Sequence, residues 1–119
     1  MDELVKILSE KDHSIVANNP EKSVKALQDR LDLNYLHILF TETNTELGVT
    51  LDKDSCDLST ADFDKEKGTI HIEGVLTLNY ERVKCIANIN IETMEGTGKL
   101  VIMEDESKYN QILEAIPKY

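Results

Sequence analysis

The chain has 119 residues, with 23 Asp and Glu against 13 Lys and Arg, for a formal net charge of -10 near neutral pH. This surplus of acid argues against direct nucleic-acid binding and against docking on anionic lipid, since both need concentrated Lys and Arg. At 40% hydrophobic, one domain of this length buries roughly two thirds of the surface its unfolded chain exposes, so it is expected to fold without disulfides or a metal.

Residues 2–11 place Leu4, Val5, Ile7 and Leu8 near helical spacing behind Asp2 and Glu3. Those two acids suit the positive end of a helix dipole, and the segment predicts a short first helix. Asn19, Pro20 and Glu21 form a start signal, because Asn caps free amides and Pro has no amide to waste at the first helical position. A second helix is therefore expected over residues 20–31, burying Val24, Leu27 and Leu31.

From Asn34 the apolar period changes from about 3.6 to 2. Strands are predicted over residues 35–41 and 46–52, the second with Leu47, Val49 and Leu51 on one face, and Thr43, Asn44 and Thr45 sit where a hairpin turns. Residues 52–68 read as a long acidic connection. Residues 69–80 then alternate Ile70, Ile72, Gly74, Leu76, Leu78 and Tyr80 against a polar row. Val83, Cys85, Ala87, Ile89 and Ile91 repeat the pattern, and a turn around residues 80–82 pairs the two strands antiparallel. Gly96, Thr97 and Gly98 read as a further turn, leading into a strand over residues 99–103.

Glu104, Asp105, Glu106 and Ser107 offer caps and negative charge to a last helix. Its stripe is Tyr109, Ile112, Leu113 and Ile116, stopped by Pro117, and it is expected to cover sheet residues such as Ile89 or Leu100. The expected architecture is a single α+β domain over residues 1–119: an antiparallel meander of about five strands, with two N-terminal helices and one C-terminal helix packed on one face and the other face open.

Chemistry is sparse. Asp52, Asp54 and Asp57 suggest an EF-hand loop, but Asp57 stands where the sharp turn needs Gly and Phe63 where a bidentate Glu belongs. His13, His37 and His71 lack metal-ligand spacing, and Cys56 and Cys85 form no Cys-x-x-Cys pair. Cys85 lies on an apolar face and reads as a packed small residue, while Cys56 sits in the polar connection. No serine stands in a nucleophile-elbow frame, and the Gly96 and Gly98 segment lacks phosphate-loop spacing. No catalytic, metal or cofactor residue is assigned, and a binding protein is expected in place of an enzyme. No apolar run approaches the ~20 residues that span a bilayer, and the acidic N-terminus is unlike an export signal. A cytoplasmic protein with two reduced thiols is expected.

The partner-binding residues are expected to be Asp52, Asp54, Asp57, Asp62, Asp64 and Glu66, six acids within fifteen residues. Such crowding steers a basic partner into contact. The outward row of Thr69, His71, Glu73, Val75, Thr77, Asn88 and Asn90 is a second candidate face. In size, charge and lack of catalytic residues, the chain resembles in general character the small immunity proteins that neutralise nuclease toxins. That resemblance implies a bacterial toxin inhibitor that occludes a basic protein, possesses no cofactor, and engages neither nucleic acid nor membrane. The alternatives are an acidic chaperone or adaptor, a phage-encoded inhibitor of a host nuclease, and a small-ligand carrier with Tyr35, His37 and Tyr80 turned inward.

Overall fold

The period-two pattern does produce strands, but six of them, and they close on themselves. The computed structural model describes residues 2–18, 21, 23–104 and 106–114. In chain order these form α1 (Glu3–Glu10), β1 (His13–Ala17), α2 (Val24–Asp32), β2 (Tyr35–Phe40), β3 (Thr45–Leu51), β4 (Thr69–Leu78), β5 (Glu81–Asn90), β6 (Glu95–Ile102) and α3 (Glu106–Glu114). Every neighbouring pair is antiparallel, and β1 joins both β2 and β6, so the order β1-β2-β3-β4-β5-β6 is a ring.

The expected open sheet of five strands with helices on one face is therefore overturned, and the cause is β1. Its five residues are short, and with His13 and Ser14 at its start the local apolar signal is weak. Yet His13, Ile15 and Ala17 are all buried. The register His13↔Gly98 to Val16↔Glu95 closes the barrel, while Ile15↔Phe40 joins β1 to β2. With every strand paired on both sides, the barrel has no free edge.

Gly96 and Gly98, expected in a turn, lie inside β6. A Cβ on Gly96 would collide with the carbonyl of Asn88 on β5, so the glycine marks a close backbone approach. The turn instead occupies residues 91–94, where the Met94 amide donates to the Asn90 carbonyl at 2.8 Å and Met94 takes a φ of 64°.

The barrel interior is filled by side chains. Leu36, Ile38, Phe40, Val49, Ile70, Val83, Ala87, Ile89 and Leu100 are completely buried, and Ile15, Ile72 and Cys85 nearly so. Val5 and Leu8 of α1 and Val24, Leu27 and Leu31 of α2 belong to the same apolar cluster. They reach it because these two helices cap opposite ends of the ring. The Asp2 carboxylate caps α1 by accepting from the Leu4 and Val5 amides at 2.9 and 3.1 Å. The same oxygen accepts from the Asn79 side chain at 3.0 Å, tying α1 to the β4–β5 turn. His13 fixes the other side of α1 by donating from Nε2 to the Ile7 carbonyl at 2.8 Å.

α2 begins later than expected. Ser23 is its cap, accepting from the Ala26 amide at 3.1 Å, and the proposed start at Asn19 and Pro20 lies outside the described residues. The buried stripe is nonetheless the anticipated Val24, Leu27 and Leu31.

α3 departs most from expectation. It packs on the outside of β3 and β4, where Tyr109 and Ile112 bury Val75, a residue assigned to the wet face. Ile89 and Leu100 lie inside the barrel, beyond its reach. Ile116 and Pro117 are outside the described residues. Two further contacts hold α3: the Thr77 hydroxyl lies 2.8 Å from the Tyr109 hydroxyl, and the Arg82 guanidinium sits over the Tyr109 ring at 5.7 Å.

Two outcomes follow from this arrangement. Ile15→Ala, which hollows the closing strand, should cost about 2–5 kcal/mol in chemical denaturation. Deleting α3 after residue 104 should instead leave a folded barrel, with amide exchange still slow at Ile15, Ile89 and Leu100. An aggregating truncation with fast exchange at those positions would show that α3 is integral to the interior.

Candidate partner-binding surface

Residues 52–68 run across the end of the barrel capped by α2, and they are an ordered segment. Asp57 and His71 exchange backbone hydrogen bonds at 2.8 and 2.9 Å, and Asp62 and Lys67 do so at 2.7 and 3.1 Å. Ala61 and Phe63 pack against the core cluster. Gly68 takes a φ of 107° with the Thr60 carbonyl close by, a conformation that suits only glycine here.

The six anticipated acids fall into different settings. Asp52 is buried and accepts from the Ser55 hydroxyl at 2.9 Å, so it is removed from any contact surface. Asp57 accepts from the Ser59 amide and hydroxyl at 2.9 and 2.6 Å, which holds its carboxyl below the usual range. Asp62 accepts from the Lys65 amide at 3.1 Å. Asp54, Asp64 and Glu66 are exposed. Three of the six carboxylates thus help to shape the segment, and five present charge to solvent.

Beside Asp57, the outer face of β4 and β5 carries a polar network. His71 Nε2 lies 2.7 Å from Glu73, its Nδ1 lies 2.9 Å from the Asn88 Oδ1, and Lys84 reaches the second oxygen of Glu73 at 2.7 Å. Both ring nitrogens face oxygens, an arrangement that favours the charged imidazolium, which can donate from both. The hydrogen bond to Glu73, then that to Asn88, raises the His71 pKa above 6.5. Burial works to raise Glu73, but the hydrogen bonds from Lys84 and His71 overcome it and hold the carboxyl below its usual value. Of the outward row read from sequence, His71, Glu73 and Asn88 come together here, while Val75 and Thr77 are engaged by α3.

The ligand-carrier reading loses its residues. Tyr35 is 39% exposed, His37 is exposed, and Tyr80 is fully exposed, so none of the three points into the barrel. The alternation suggested that Tyr80 faces inward. The strand instead ends at Leu78, which pairs with Glu81, and Asn79 and Tyr80 form a two-residue turn with φ of 48° and 69°. Such primed turns favour Asn-Gly. A bulky residue at the second position is strained, and the fully exposed Tyr80 ring has no partner among the described residues to justify it. The available signal was the two-residue gap between Leu78 and Glu81, where Tyr replaces the usual Gly. The thiols are secluded: burial pushes Cys85 up to about 12, and Cys56, half-buried against the Glu73 backbone, is also raised by burial. Among the described residues, no three His, Cys, Asp or Glu side chains are placed to hold a metal, and no helix is long and apolar enough to cross a membrane.

The His71 network has a calculable pH signature. The raised His71 pKa stabilises the fold below about 6.5, and this is lost as pH rises through the folded value; the lowered Glu73 pKa stabilises it above about 4.5 and is lost on acidification. The Tm deficit of His71→Gln should therefore be largest near about pH 5.5 and shrink by about pH 8.5. A deficit independent of pH would mean that packing, not charge, links the two strands.

No curated protein matches the chain. Residues 17–116 match the family model described as the core binding factor beta subunit. That match overturns the expectation of a bacterial immunity protein or toxin inhibitor with a toxin nuclease as its basic partner, a reading drawn from size and charge with no motif behind it. A match of this extent establishes membership: the chain belongs to the core binding factor beta subunit family.

Proposed function

We propose that this chain is a non-catalytic protein-binding subunit that regulates transcription by associating with a DNA-binding partner. The family match over residues 17–116 carries the reading, since a beta subunit of a binding factor implies another subunit. The physical features agree with a division of labour. A net charge of -10 opposes direct contact with phosphates, so DNA contact falls to the partner. The barrel interior is occupied by side chains, which leaves its outer surface for recognition.

Tyr80 is the contact residue favoured here. Local stability would choose Gly at its strained position, and an exposed tyrosine supplies a large rigid contact area at an interface. Asp54, Asp57, Asp62, Asp64 and Glu66 act at longer range, raising the rate of encounter with the positively charged groups of a DNA-binding protein.

Two measurements test this. The chain alone should leave a DNA duplex unshifted in gel electrophoresis at physiological salt, while affinity purification from nuclear extract should recover a DNA-binding protein whose complex with the chain shifts the duplex. Tyr80→Gly should keep or slightly raise the melting temperature and weaken association with that protein at least tenfold. Direct DNA binding by the isolated chain would defeat the proposed division of labour, and unaltered association of the Tyr80 variant would move the contact elsewhere.

A further inference from the structure

The two long edges of β4 are covered differently. β5 pairs with it from Thr69↔Asn90 to Leu78↔Glu81, whereas the β3 register reaches it at Thr50↔Val75 and Leu51↔Gly74 and goes no further toward Thr69. Residues 52–60 take over there. The Asp52 amide donates to the Glu73 carbonyl at 2.8 Å, Asp57 and His71 exchange backbone hydrogen bonds, and the Thr60 hydroxyl donates to the Thr69 carbonyl at 2.6 Å. The Glu73 amide donates to the Cys56 Sγ at 3.5 Å, a weak acceptor in place of a carbonyl. The segment is thus an irregular substitute for a strand. Among the described residues, Asp57 and His71 form its one rung of two backbone hydrogen bonds. So sparse a ladder opens at lower cost than the barrel behind it.

His71 carries its charge at that rung. We propose that residues 52–60 are a pH-sensitive strap over the β4 edge, held closed by attraction between the His71 imidazolium and the Asp57 carboxylate and loosened when His71 loses its proton. Among the described residues, the charged groups around His71 are Glu73 on its own strand, Lys84 on β5 and Asp57 on the segment. Glu73 keeps Lys84 at 2.7 Å in either state, and Asn88 can turn its side-chain amide to suit the tautomer present. The Asp57 carboxylate acts on the ring through charge alone, so it is the contact that deprotonation removes. Hydrogen bonds to Glu73 and Asn88 raise the His71 pKa above 6.5, and the Asp57 charge adds to them. By linkage, the part contributed by the closed strap is returned as strap stability while His71 is charged. That stability is present below about 6.5 and is lost as pH rises through the folded value. Asp57 stays ionised throughout, because hydrogen bonds from Ser59 hold its carboxyl below the usual 3.8. Opening uncovers the backbone of Thr69, His71 and Glu73, an unpaired sheet edge. The device rests neither on the Tyr80 turn nor on a DNA-binding partner.

The test is amide hydrogen exchange of the full chain between about pH 5.5 and about pH 8, expressed as protection factors so that the intrinsic pH dependence of exchange is removed. Protection at the Asp57 and His71 amides should fall several-fold across this range, while Ile89 and Leu100 inside the barrel keep theirs. His71→Gln and the exposed variant Asp57→Asn should each give low protection at the rung that no longer changes with pH. The Asp57 variant keeps the proposal testable if the His71 variant unfolds. Raising salt to about 1 M should shrink the pH dependence of the native chain, because the two groups are partly exposed and screened. Constant protection in the native chain, a fall that persists in Asp57→Asn, or a parallel fall at Ile89 and Leu100 would overturn the inference.

Discussion

The pairing of His13 through Val16 with Gly98 through Glu95 governs the rest of the molecule. Without it, β2 and β6 would each end the sheet with a row of unpaired amides and carbonyls, and the interior residues would face water along the gap. With it, Ile15 enters a cluster that contains Phe40, Ile89 and Leu100. Closure also fixes the helices. Once the inner face lines a ring, the only routes to it are the two openings, and α1 and α2 occupy them. His13 serves both parts of the arrangement, since its backbone pairs with Gly98 and its side chain holds the Ile7 carbonyl.

A filled barrel places recognition on the outside, and the outside is uneven. α3 covers Val75 and engages Thr77. Further along the same strands, His71, Glu73, Lys84 and Asn88 are linked in a polar network beside Asp57. Local stability is sacrificed at several of the described positions, among them the turn at Tyr80 and the unsatisfied side-chain oxygen of Asn34. Departures from local optimum concentrate at functional positions. The proposed contact with a partner subunit is placed at the Tyr80 turn on that ground.

The acidic segment illustrates how charge density misleads when read by itself. Six carboxylates within fifteen residues suggested a uniform docking surface. Asp52 instead turns inward to the Ser55 hydroxyl, and Asp57 and Asp62 close local turns through Ser59 and Lys65. Short polar side chains compete for neighbouring amides, so an acid in a loop is as often part of the loop's geometry as part of its field.

The sequence by itself determined the local elements. Apolar spacing located α1, the buried stripe of α2, five of the six strands and α3, because period reports which side of an element is covered. It also determined the net charge of -10, which weighs against direct phosphate contact. Only tertiary structure decided what covers each face. The inner face of a barrel and the packed face of an open sheet have the same alternation, so Ile70, Ile72 and Ile89 are legible as buried without revealing that a ring encloses them. Closure joins Ser14 to Thr97 across most of the chain, through backbone hydrogen bonds that are nearly indifferent to side-chain identity. The same limit placed α3 on the wrong side, since an apolar stripe specifies that a helix is covered and leaves open whether Leu100 or Val75 does the covering.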